Sequence, residues 1–195
     1  MPKSTTNWLR IYPHNLLWLG LAVLAIVLDQ ISKKIALNHI LHNNLPCPNQ
    51  VQQICAYSES IPVIPPVLDW TLAYNYGAAF SFLSGAGGWQ HFFFTGLAGI
   101  VSLFFIFWLL RMPKSLKVLP LAICLILAGA LGNFIDRMTL GYVVDFIHVH
   151  YQQSWHFPIF NTADCAITLG TILLLIDSFF LEKKRHQPKA EQVHD

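Results

Sequence analysis

Residues 116–137, LKVLPLAICLILAGALGNFIDR, decide the fold. Up to Ile135 the run carries a single charge, Lys117, at its start. It is long enough to cross a hydrocarbon core of ~30 Å, which takes ~20 helical residues. It then ends abruptly in polar chemistry. Ala128 and Gly132 leave room for a close helix neighbour. Asn133 and Arg137 share a helical face, with Asp136 three residues beyond Asn133. An apolar span closing on Asn, Asp and Arg reads either as a hydrogen-bonded helix end or as a donor set aimed at a peptide or lipid carbonyl.

Working outward, three further stretches of the same kind occur at about 15–38, 89–110 and 159–181, so with 116–135 the chain reads as four transmembrane helices. The composition agrees. Of 195 residues, 54% are hydrophobic and only 11% charged, against about 25% charged in an ordinary soluble domain. So few charges cannot solvate a soluble globule, and the apolar content excludes disorder. A net charge of +2 is too small for a nucleic-acid footprint. The fold class expected is an all-α membrane protein, one integral domain over 1–195. Lys3 and Arg10 precede the first span as in a secretory signal, but that span ends in Asp29-Gln-Ile-Ser-Lys-Lys34 without small residues for cleavage, which marks a retained anchor.

Lys/Arg bias orients the bundle. Lys3 and Arg10, then Arg111, Lys114 and Lys117, then Lys183, Lys184, Arg185 and Lys189 fall on one side of an even number of spans. Both termini, including the polar tail 182–195, are therefore expected in the cytoplasm. The opposite side holds an outer segment, 42–88, without one Lys or Arg, and a second, 136–158, whose only such residue is Arg137. Within the first, 61–83 is rich in aromatic and β-branched residues, has Pro at its entry and a turn-type Asn75-Tyr-Gly77, and reads as a small extracytoplasmic sheet or hairpin between helices one and two. Cys47 and Cys55 lie in the polar stretch before it, as a disulfide closing a short loop or as two separate thiols. Cys124 and Cys165, inside spans, read as small core residues.

Acids and bases at membrane depth are functional candidates. Asp29 and Lys33 stand in the favourable i, i+4 order for an ion pair, and a packing role comes first for both. Asp145 sits alone in Gly141-Tyr-Val-Val-Asp-Phe-Ile147, an apolar run in which burial raises a carboxyl pKa. Asp164, three residues after Asn161, has capping-box spacing at the start of span four, where a carboxylate is oriented and favoured by the helix dipole. Two carboxyls in such unlike surroundings, within reach of one water, could divide acid and base roles between them. No Ser/His/Asp set competes. His148, His150 and His156 could form an exposed metal site, but no Cys or carboxylate falls beside them at ligand spacing, so no metal is expected.

These motifs together resemble the lipoprotein signal peptidases (signal peptidase II), four-span bacterial aspartic proteases. The resemblance runs through Asp29-Gln-Ile-Ser-Lys33, Ser60-Ile-Pro-Val-Ile-Pro65, Asn75-Tyr-Gly-Ala-Ala-Phe-Ser-Phe-Leu83, Gly129-Ala-Leu-Gly-Asn-Phe-Ile-Asp-Arg137, Gly141-Tyr-Val-Val-Asp-Phe-Ile147 and Phe160-Asn-Thr-Ala-Asp164. It implies that Asp145 and Asp164 are a catalytic dyad. It further implies that Asp29, Lys33, Asn75, Asn133, Asp136, Arg137 and Asn161 line or brace the site. The implied substrate is a diacylglyceryl-modified prolipoprotein that enters from the bilayer and is cut before its lipidated cysteine. The implied place is the outer face of the bacterial inner membrane, with membrane lipids as surroundings, a monomer as the working unit, and no cofactor. The 61–83 sheet would cradle substrate and a flap near 142–157 would cover it. Residues 43–57 depart from the pattern as an insertion, and Ser58 and Tyr74 stand where Gly and His are frequent.

Two other classes fit less well. A small proton-coupled transporter would place acids near the bilayer midplane and show repeated halves. Here the acids gather at one surface, and Asp177, ~20 Å of helix beyond Asp164, lies toward the other. A quinone-linked disulfide oxidoreductase would need an exchanging cysteine pair, and Cys124 and Cys165 are wrongly placed for it.

Overall fold

The structure, a computed structural model, describes residues 11–42, 60–77, 88–152, 154–182 and 185. Four helices form the bundle: α1 (Leu16–His42), α2 (Trp89–Leu110), α3 (Val118–Leu140) and α4 (Thr162–Ile176). A 3-10 turn (Pro13–Asn15) leads into α1, and a π-helical segment (Asp177–Leu181) continues α4. All four are long and apolar enough to cross a membrane. Centrality separates them: 56% of the apolar window of α3 is buried, against 17% or less in the others. Helix α3 is therefore the inner post, packed most extensively on α4 and then on α1 and α2. The exposed faces of the outer helices carry Leu17, Phe92, Ile100, Leu103 and Phe180, apolar side chains that suit lipid rather than water.

Glycine makes the α3–α4 approach possible. A Cβ on Gly129 would collide with the Ala163 carbonyl oxygen, and one on Gly170 would stand 2.7 Å from that of Ala122. Gly132 meets α1 in the same way, with a Cβ there falling 2.6 Å from Asp29 Oδ2. Cys124 is a buried free thiol packed with Ala22, Leu127 and Ala128, the core role read from sequence.

Two boundaries differ from the sequence reading. Helix α3 continues to Leu140 instead of stopping near 135, and ends where Gly141 adopts φ 84°, with its N–H bonded to the Arg137 carbonyl. The segment 136–158, expected as a loop, is then mostly regular structure. Its Val143–Tyr151 is a strand, β3, followed by the short β4 (Trp155–His156). With β1 (Ile61–Ile64) and β2 (Leu68–Asn75) these make one antiparallel sheet in the order β1-β2-β3-β4. The small sheet expected between the first two helices thus exists, but half of its strands come from between α3 and α4. The apolar run around Asp145 needs cover on both sides, and β3 finds it as an inner strand: Leu72, Val144 and Phe146 bury themselves against Ala36 and Ile40 of α1. Residues 43–59, with Cys47 and Cys55, and residues 78–87 lie outside the described residues.

Candidate active site

One backbone contact organises the site. The Phe160 N–H donates to the Ile147 carbonyl (3.1 Å), while the N–H groups of Ile147 (2.8 Å) and Phe146 (3.0 Å) donate to the Phe160 carbonyl. This bridge pins the start of α4 to β3 and sets Asn161 and Asp164 beside Asp145. The capping box read from sequence is present. Asn161 Oδ1 accepts from the Asp164 N–H (3.0 Å) and Asp164 Oδ2 accepts from the Asn161 N–H (3.2 Å).

Asn161 serves both carboxyls. With its oxygen committed to the Asp164 amide, its Nδ2 points to Asp145 Oδ1 at 2.6 Å and to Asn133 Oδ1 at 3.2 Å. Asn75 holds the other oxygen of Asp145, donating from Nδ2 to Oδ2 at 3.0 Å. Its own oxygen is fixed by the Gly77 N–H at 2.9 Å, so the turn at 75–77 orients a donor as well as ending β2. Asn133 Nδ2 donates to Asp164 Oδ1 at 2.9 Å. The orientation of that amide is set from behind, where Lys33 Nζ donates to Asn133 Oδ1 at 2.9 Å.

Lys33 is the hub of a buried charge network. Its ammonium lies 2.9 Å from Asp29 Oδ2, the i, i+4 pair expected, and 2.9 Å from Asp136 Oδ2. Sharing one cation between two carboxylates and an amide oxygen compensates charges that are nearly inaccessible to water. Asp136 also accepts from the Val144 N–H at 3.2 Å, so the same carboxylate ties α3 to the strand that carries Asp145. Arg137 Nη2 donates to the Gly77 carbonyl at 2.6 Å, and its charge acts on Asp164, Asp145 and Asp136. Of the two readings of this helix end, Nη2 of Arg137 follows the hydrogen-bonded one, engaged with the turn that orients Asn75.

Asp145 is 2% exposed. Burial above all, and then the negative charge of Asp164, push its carboxyl up to about 7, against the opposing effect of the Asn75 and Asn161 hydrogen bonds. Beside the pair, Phe157, Phe160, Cys165, Thr168 and Leu169 line with Asp164 an apolar cavity of about 410 Å³.

All nine residues singled out as catalytic or supporting converge at this one end of the bundle. Three contributors were missed. Gln30 Nε2 donates to Asp136 Oδ1 (2.8 Å) and to the Gly132 carbonyl (3.2 Å). Thr162 donates to Asp29 Oδ1 (2.6 Å) and meets the Ser32 hydroxyl at 2.8 Å. Each stands inside a motif already quoted, and a polar side chain within an apolar span was the available signal.

The histidines differ from their sequence reading. A carboxylate does lie beside them: Asp69 Oδ2 is 3.1 Å from His150 Nε2, brought there because β2 pairs with β3. His148 Nε2 faces His156 Nδ1 at 3.1 Å across stacked rings. Among the described residues no group of three such side chains converges to hold a metal ion.

Fold and site together define a class: a multi-pass membrane enzyme with two amide-held carboxyls at one end of a four-helix bundle. The comparisons are specific. The family model for signal peptidase (SPase) II matches residues 21–180. The lipoprotein signal peptidase of Acinetobacter baylyi is 61% identical over 197 residues, covering 100% of both chains, and that of Acinetobacter baumannii is 65% identical over 187, covering 95% of this chain and 97% of its own. A solved bacterial membrane enzyme superposes with a TM-score of 0.67 at 30% identity, covering 89% of this chain and 93% of its own. The chain belongs to the signal peptidase II family, and it is a protease.

Proposed function

We propose that Asp145 and Asp164 are the catalytic dyad with which this chain removes signal peptides from diacylglyceryl-modified prolipoproteins, cutting before the lipidated cysteine. The observation that carries the assignment is Asn161, hydrogen-bonded to both carboxyls at once. Asp145, raised to about 7, is poised to carry a proton near neutral pH, and we assign it the acid role. Asp164 then takes a proton from a water whose oxygen attacks the scissile carbonyl carbon, while Asp145 gives its proton to the carbonyl oxygen. Collapse of the resulting gem-diol breaks the C–N bond, and the leaving amine accepts a proton from the dyad. No covalent acyl-enzyme forms and no metal or cofactor takes part.

Asn75, Asn133 and Asn161 aim donors at the dyad, and Asp29, Lys33, Asp136 and Arg137 brace them. Substrate is itself a membrane helix with acyl chains, so it enters laterally, and the apolar cavity beside Asp164 suits such a ligand. The Lys/Arg bias supports both termini in the cytoplasm and the site at the outer face of the inner membrane. The working unit in this reading is a monomer. Asp145→Asn and Asp164→Asn should each abolish the shift of a lipidated precursor to its mature form, with the variant still inserted at normal level. Full cleavage by either variant would remove that residue from the dyad.

A further inference from the structure

At the end of the bundle opposite the carboxyls, the chain closes a second, preformed pocket. The Tyr12 N–H donates to the Leu110 carbonyl at 3.0 Å, and Asn15 Nδ2 to the Met112 carbonyl at 2.8 Å. These bonds clamp the turn before α1 to the α2–α3 link. Between them and the start of α1 lies a cavity of about 350 Å³ lined by His14, Leu17, Trp18, Leu21, Lys114 and Lys117.

The lining divides into two chemistries. Lys114 and Lys117 are exposed cations, and among the described residues neither forms an ion pair with a carboxylate. His14 joins them, with its Nε2 buried and lacking a hydrogen-bond partner among the described residues. The remaining wall is the apolar flank of α1, where Leu17 is 80% exposed. The link 111–117 joins two spans, so the pocket sits at a bilayer face. Cations therefore stand at headgroup level and the leucines one turn deeper.

We propose that this pocket binds one anionic phospholipid, its phosphate held by Lys114 and Lys117 beside His14 and an acyl chain laid along Leu17 and Leu21 past Trp18. Basic pockets between helix ends recognise anionic headgroups by charge, worth about 1 kcal/mol per cation near a membrane surface. Two cations convert to roughly a thirtyfold preference over a zwitterionic lipid. A soluble phosphate would use only the lysines and leave the apolar wall without a role. The assignment is independent of the peptidase chemistry at the other end.

The test uses the full chain purified in detergent, with native mass spectrometry and thermal unfolding after addition of phosphatidylglycerol or phosphatidylcholine. Phosphatidylglycerol should give a retained one-lipid adduct and a higher Tm, and phosphatidylcholine neither. K114Q/K117Q removes exposed side chains, should keep the wild-type Tm in phosphatidylcholine, and should lose the adduct and the phosphatidylglycerol increment. K183Q/K184Q removes the same charge elsewhere and should keep both. Equal stabilisation by the two lipids, an unchanged response of K114Q/K117Q, loss in both double variants, or the whole increment from glycerol phosphate alone would each overturn the proposal.

Discussion

Asp145 sets burial against hydrogen bonding, and burial wins. A carboxyl raised in the folded state to about 7 from an unfolded value of ~3.9 binds more protons folded than unfolded between those limits. Its contribution to stability is therefore full below about pH 4, falls as pH rises, and is lost above about 7. The whole change is on the order of 4 kcal/mol, at 1.36 kcal/mol per pH unit. Asp145→Asn does not ionise, so its Tm relative to the wild type should climb as pH is raised from 4 to 7 and then level off. A constant difference across that window would mean that the carboxyl is not raised. The identities of these residues were legible in sequence because charge is so scarce here that each acid stands out. Their partners were less so: that Asn133 takes its orientation from Lys33 depends on α1 meeting α3, which no local spacing encodes.

At the scale of elements, the α3–α4 contact rests on absent side chains. Gly129→Ala would force a methyl against the Ala163 carbonyl and the Ile167 side chain, backbone on one side and a packed side chain on the other. Overpacking of this kind costs about 1–3 kcal/mol. Because Ala163 adjoins Asp164, the variant should lose both Tm and precursor cleavage, whereas Gly96→Ala, with nothing within 4 Å, should keep both. Thermal unfolding and the cleavage assay on the two variants decide this. Helices were the readily legible elements, since length and hydropathy suffice to mark a span. Strand β3 was not. A continuous apolar run has no period to distinguish strand from loop or buried helix, and its register against β2 shifts between Trp70 and Ala73, a detail set only by pairing. For the same reason Asp69 and His150, 81 residues apart in number, were not seen as neighbours.

For the molecule as a whole, asymmetry is the theme. One end gathers Asp29, Lys33, Asp136, Asp145 and Asp164 under a sheet; the other gathers Lys114 and Lys117, and there Asp177 is held by Arg185 in a two-bond pair of 2.9 and 2.7 Å. The proposed orientation requires that reporters of periplasmic export fused before residue 11 or after 185 stay inactive, and that one placed at 153 be active. An active N-terminal fusion would invert the topology and put the carboxyl pair at the cytoplasmic face. The bridge between Ile147 and Phe160 has a further consequence for that outer position. It closes the chain into a side branch, of which His148 and Val149 remain paired with β2, so only the part beyond that pairing hangs clear of the frame that spaces the two carboxyls. A change of length in that outer part would be absorbed at the branch point, between Ile147 and Phe160, before it reached Asp145 or Asp164.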